Sequence, residues 1–313
     1  MTAEDAALYE QHRQEVTRNR EERLADKKLE KTLYLVAVCD VEKLLQCPRL
    51  KNGKQYYLCK LQIKNWTAFD LLTSDVLCKL FDETQGGSDG NIYASLLCWY
   101  VEGKIIETPT ISTAIIWSDG CASQNRCVLV SNALLQLAMR LKILIIQKYL
   151  VPGHSQNEVD SAHARIESST KELILYSPSQ FADAIRKARL SEENGGRRGV
   201  TPYRVEMVTF DEFFNFEGAK MYSSIRPGYK SGDPTVMNVR ALAYHPDGKM
   251  KYKLSFDDDW TDMPHRIEHP TNLVRKKYTE PIPLTASKFR DLQKLKEFIP
   301  EDFHKFYDEL PHN

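Results

Sequence analysis

STAIIWSDGCASQNRC occupies residues 112–127, and ILIIQKYLVPGHSQNEVDSAHARIE occupies residues 143–167. Between them Val128, Leu129, Ala133, Leu134, Leu137 and Leu141 recur at helical spacing, which predicts an amphipathic helix over 125–142. The apolar run 114–117 reads as a buried strand that ends in Ser118-Asp119. The run 143–150 reads as a second strand; it breaks at Pro152-Gly153 and leads to Asp160. Two strands joined by one crossover helix run parallel, so their carboxyl ends lie side by side on one edge of a sheet. Asp119 and Asp160 are thereby expected to meet, and neighbouring carboxylates repel unless a cation sits between them. The stretch therefore predicts an α/β fold and nominates a metal site.

Composition sets the bounds around this centre. The chain has 313 residues, with 43 acidic and 43 basic side chains, enough for one large domain or two ordinary ones. A net charge of zero does not announce a nucleic-acid binder, although it permits a local basic track. The seven cysteines (Cys39, Cys47, Cys59, Cys78, Cys98, Cys121 and Cys127) are odd in number and form no CxxC pair, so they read as reduced thiols of an intracellular protein. No run of about eighteen apolar residues exists, and the amino terminus is acidic rather than signal-like, so no membrane partner is expected.

Taken in order, residues 1–31 are densely charged with both signs at helical spacing and predict a solvated helix docked loosely on the neighbouring domain. Residues 32–41 are a mostly apolar strand ending at Asp40, and a buried strand rarely carries an acid unless a partner or a site requires it. Strands follow at 56–65 and 76–82, then a helix over 91–102. The order through residue 167 is β-β-β-α-β-α-β-α: three antiparallel strands extended by two parallel ones, covered by helices. Asp40, Asp119 and Asp160 converge in that arrangement. A helix over 177–190, a polar linker over 191–201, strands at 203–208, 239–244 and 251–256, and helices after 285 complete the chain. The expected organisation is a charged helix (1–31), a mixed-sheet domain (32–190) and a smaller α+β module (191–313).

The string GHSQNEVDSAH resembles ribonuclease H, in which a loop Gly-His precedes Asn-Glu and an aspartate opens the last catalytic helix; the matching positions are Gly153, His154, Asn157, Glu158 and Asp160. Residues from about 30 to 313 also resemble a family of transposon-derived proteins of animal genomes. The resemblance is carried by IIWSDGCASQNR, YLVPGHSQNEVDSAHARIE, SIRPGYKSGDP, YKLSFDDDW and LQKLKEFIPEDFHKFYDELP. It implies a ribonuclease H-like fold and transposase- or integrase-type chemistry by an acidic triad with divalent metal. Carried over residue by residue, that triad is Asp40, Asp119 and Asp160. It further implies DNA as partner, with self-association and a separate module or partner for recognising transposon ends as further expectations; the proposed chemistry alone, with no basic targeting run, suggests a nuclear rather than cytoplasmic location.

The chemistry asks for such residues. Phosphodiester transfer must activate a water or hydroxyl and neutralise charge on the transferring phosphate; two Mg²⁺ (or Mn²⁺) ions about 3.5–4 Å apart do both and take hard carboxylate ligands. Asp40, on the first strand, suits the bridging position, with Asp119 and Asp160 each holding one ion. His154 reads either as a proton-transfer or product-release group or as a loop cap. Glu167, two helical turns beyond Asp160 on the same face, competes with it as third ligand. Ribonuclease H carries a fourth acid near the start of its first helix; here Asp89 precedes that helix and Glu102 lies near its far end, which argues for DNA cleavage or strand transfer over hybrid hydrolysis. Gln124, Asn125 and Arg126 open the next helix, where amides and a guanidinium can hold a phosphate or simply start a helix. Arg186, Lys187, Arg189, Arg197, Arg198, Arg226 and Lys230 give the carboxyl half a basic bias. The alternative function is a domesticated, catalytically silent protein of the same fold that binds nucleic acid or a protein.

Overall fold

Strands form where β-branched and aromatic residues cluster, and helices begin where a side-chain oxygen caps free N–H groups. The computed structural model describes residues 3–313 apart from 52, 54–56, 122–123, 152–156, 191–192, 194 and 199. The elements are α1 (Ala3–Asp26), β1 (Tyr34–Val41), β2 (Leu45–Cys47), β3 (Leu61–Asp70), β4 (Val76–Asp82), α2 (Gly90–Glu107), β5 (Thr113–Ser118), α3 (Val128–Leu141), β6 (Leu144–Tyr149), α4 (Glu158–Thr170), α5 (Pro178–Lys187), β7 (Arg204–Met207), β8 (Phe214–Asn215), β9 (Ala241–Tyr244), β10 (Met250–Lys253), β11 (Thr261–Asp262), β12 (Arg275–Lys276), α6 (Ala286–Leu295) and α7 (His304–Asp308). Asp89 caps α2 by accepting from the Asn91 N–H at 2.9 Å. Asn157 caps α4 by accepting from Val159 and Asp160 at 2.8 and 3.0 Å.

The fold is α/β, built on one mixed ten-stranded sheet in the order β11-β10-β9-β6-β5-β1-β3-β4-β7, with β2 added to β3. β1, β5 and β6 are parallel, and β1-β3-β4 are antiparallel, as the element order predicts. Alternation along β1 sends Leu35, Ala37 and Cys39 to the face covered by α2 and α3. Val36 and Val38 go to the opposite face, in a cluster with Ile115, Trp117, Leu150 and Val159. A third cluster packs α5, α6 and α7 over β3 and β4, around Phe181, Leu292, Leu295 and Tyr307.

Four features depart from the sequence reading. The second long strand spans Leu61–Asp70 rather than 56–65, because Lys64, Asn65 and Thr67 are buried polar residues inside it and blur the apolar pattern. The short strand β2 has no counterpart in that reading. The helix expected to dock loosely, α1, is pinned: Asp26 is 6% exposed, accepts from Lys148 Nζ at 2.8 and 2.9 Å, and accepts from Trp117 Nε1 at 2.8 Å. Finally, segment 191–313, read as a smaller module, adds β7 to one edge of the sheet and β9-β10-β11 to the other. No helix among the described residues is long and apolar enough to cross a membrane.

Candidate active site at the carboxyl edge of the sheet

Register brings the first two acids level. Val38 of β1 pairs with Trp117 of β5, so two residues further along both strands Asp40 stands beside Asp119. Alternation puts both on the face that holds Val36, Val38, Ile115 and Trp117, the face against which Val159 of α4 packs. The third acid arrives from α4. Asp40 is the cross-strand partner of Thr67 in β3, and His163, one turn after Asp160 on α4, lies with Nε2 3.0 Å from Thr67 Oγ1. That bond fixes the head of α4 above Asp40.

The electrostatics agree with the geometry. Burial pushes the Asp40 carboxyl up to about 6; the Val41 N–H opposes this, and the charges of Asp119 and Asp160 add to it. Each of the three carboxylates spends one oxygen locally. Asp40 Oδ1 accepts from Val41 N at 2.7 Å, Asp119 Oδ1 from Asn125 Nδ2 at 2.7 Å, and Asp160 Oδ2 from Asn157 N at 2.9 Å in a capping box. The second oxygen of each has no hydrogen-bond partner among the described residues. Such a donor set, hard and mutually repelling, fits a divalent cation. As they stand the acids are not drawn into a closed ligand group, and no other cluster of three His, Cys, Asp or Glu side chains forms one among the described residues.

The other expected site residues are placed as follows. His154 and Gly153 lie outside the described residues. Glu167 faces Glu42 and Arg49, and lines with them and with Asp160 and His163 a cavity of about 580 Å³. Burial raises the Glu42 carboxyl to about 7; the Asn65 amide bonded to it at 2.8 Å opposes the rise and Glu167 adds to it. Asn125 and Arg126, read as phosphate donors, are turned inward instead, each 4% exposed. Asn125 serves Asp119, and its carbonyl accepts from Gln147 Nε2 at 2.8 Å. Arg126 stacks over the Tyr149 ring at 4.2 Å and donates to the Met237 carbonyl at 2.8 Å, so its guanidinium is a structural strut. A Cβ at Gly120 would lie 2.8 Å from Arg126 Nη2, which is why glycine follows Asp119. Gln124 stays partly exposed at the turn before α3.

Sequence reasoning passed over His163 and Glu42. The signal for His163 is the Asp160-x-x-His163 spacing, which puts both on one face of α4. Burial holds its imidazole down at about 4 although Asp160 pulls the other way, so it is neutral near pH 7. Among the described residues no disulfide forms, and Cys39, Cys47, Cys78 and Cys98 are buried thiols.

No protein-family model and no curated protein matches the chain. Among solved structures, the crystal structure of human ENDOV aligns with 50% of this chain and 68% of its own at 12% identity, with a TM-score of 0.19. A likeness that shallow carries no argument.

Proposed function

We propose that the chain is a ribonuclease H-like, metal-dependent phosphoryl transferase or nuclease, of the kind found in transposon-derived proteins, acting on DNA at Asp40, Asp119 and Asp160. The observation that carries this reading is the unneutralised carboxylate cluster at the carboxyl edge, half-buried at Asp40 and Asp119 and exposed at Asp160, seen in the rise of the Asp40 carboxyl. Lys148 compensates the buried Asp26 and Lys104 the buried Asp70, whereas Glu42, beside this site, likewise has no ion pair among the described residues. Among the described residues no cation of the protein compensates the three acids, and a fold keeps such a destabilising arrangement where function needs it. The antiparallel β1-β3-β4 unit extended by parallel β5 and β6 supports the ribonuclease H-like assignment.

Asp40, Asp119 and Asp160 would hold Mg²⁺ or Mn²⁺ through their unbonded oxygens. Divalent cations bound there would screen the attacked phosphate and ionise the attacking water or hydroxyl. The protein's own residues prepare that chemistry. Asn125 orients Asp119, the α4 capping box orients Asp160, and the His163–Thr67 bond ties α4 to β3 at the position paired with Asp40. Burial on the sheet face limits water around Asp40 and strengthens every charge interaction there.

The test is calorimetric titration of Mn²⁺ into the protein and into Asp119→Asn, with nicking of labelled DNA followed in parallel. Binding and nicking that both vanish in the variant support the reading. Neither in the wild type leaves the catalytically silent binding protein as the account.

A further inference from the structure

Helix α4 is a ridge with different ground on its two sides. One side is the polar cavity beside Glu42 and Glu167. The other is a groove of about 500 Å³ between α4 and the end of α5, lined by Arg165, Lys187, Arg189 and Arg197, with Glu158 as its one lining acid among the described residues. Glu158 is already neutralised by Lys27 and Arg23 of the α1 end. Arg189 is held in place, donating to the Ser74 carbonyl at 2.8 Å with its guanidinium 5.6 Å from the Tyr203 ring. Arg165, Lys187 and Arg197 have no acidic partner among the described residues. Some arginines elsewhere on this neutral chain, Arg18, Arg140, Arg204 and Arg240, each sit on an acid, and Arg49 and Arg126 donate to backbone carbonyls. Like charges gathered without one are a net repulsion that an anion would relieve.

We propose that this groove binds the phosphate backbone of a polynucleotide, entering along α4 on the Arg165 side and reaching the acids at the helix head. Four cations spread along a trough suit successive phosphates of a strand rather than one isolated anion. Ser161 and Glu158 line the groove near the head of α4, whereas Asp160 lines the cavity on the helix's other side, so a strand lying in the groove reaches the candidate catalytic acids by crossing the head of α4. The inference deepens the catalytic reading and rests on it only for where the reacting phosphate lies.

The experiment is fluorescence anisotropy of labelled single-stranded and duplex oligonucleotides on the full chain in EDTA, repeated over a salt series. Arg165→Glu/Lys187→Glu is expected to weaken binding at least tenfold. It should also flatten the slope of log K against log salt by roughly 1.5, since each phosphate that the protein no longer neutralises removes about 0.7–0.9 from it. Lys249→Glu/Lys251→Glu, an equal charge change on the distant β9-β10 hairpin, should stay within about twofold of wild type. Arg165→Gln/Lys187→Gln, checked for unchanged circular dichroism and melting, guards against misfolding of the reversed-charge variant. Groove and hairpin variants that bind alike, absence of oligonucleotide binding by the wild type, or preference for anionic vesicles would each overturn the proposal. Groove-dependent binding with no metal-dependent nicking would instead sink the catalytic reading and leave the groove standing.

Discussion

Asp40 is an acid that the folded chain holds protonated well above its ordinary range, up to about 6. Below that pH a cation must displace a proton to bind, and above it need not. Mn²⁺ affinity should therefore be flat from pH 7 to 8 and fall up to about tenfold per pH unit below 6, with proton release measurable by calorimetry in buffers of different ionisation enthalpy. Glu42 gives a stability prediction. Its carboxyl rises from 4.5 to about 7, so the folded state holds the proton more tightly than the unfolded chain, and ionisation costs stability as pH climbs through that window. Glu42→Gln removes the cost and keeps an acceptor for Asn65. In chelator it should stabilise the protein by on the order of 3 kcal/mol above pH 7 and by nothing near pH 4, read from urea unfolding at both pH values. At this scale the sequence is half legible. Asp119 and Asp160 are readable because each follows an apolar run, whereas Arg126 looks like an ordinary helix start until its carbonyl partner at Met237, far along the chain, is known.

At the scale of elements, two buried polar devices hold the site together. The first is the cap of α4, where Asn157 and Asp160 exchange bonds. Asn157→Ala should cost about 1 kcal/mol by chemical denaturation and also loosen Asp160, so that Mn²⁺ affinity drops while the fold persists. The second is the anchor of α1, the buried pair Asp26–Lys148. Lys148→Met leaves an uncompensated buried carboxylate and should cost roughly 3–5 kcal/mol, most of it recovered in Asp26→Asn/Lys148→Met. β5 is legible as a strand because burial on both faces writes a continuous apolar run, and β6 because Leu144, Ile145 and Ile146 open it before the buried Gln147 and Lys148. β3 is not, because Lys64 sits 7% exposed with its ammonium on the Gly86 carbonyl at 2.7 Å, and a buried lysine reads in sequence as a surface one. The GYKSGD stretch has a turn's explanation. Asp233 accepts from the Tyr229 and Lys230 N–H groups at 2.9 and 2.8 Å, and its side chain fills the space a Cβ at Gly228 would need.

Across the whole molecule, the sheet runs through both halves of the chain. β4 is continued by β7 and β6 by β9, so a fragment ending at residue 190 would bare a strand edge on each side. Residues 1–190 alone should aggregate or fail to show a cooperative transition, while the full chain unfolds in a single one by calorimetry. Sequence pattern could not show this continuity, since hairpins that close one sheet and hairpins that form another are written alike. The strands that now terminate the sheet are short and charged. β7 offers Arg204 and Glu206, engaged at 2.6 Å by Glu107 and Lys79, and β11 is two exposed residues, Thr261 and Asp262. A strand from a second molecule seeking to prolong the ladder would have to break those pairs or strip water from a carboxylate. Both ends of the main strand order are therefore stoppers against fibre-like growth by added strands.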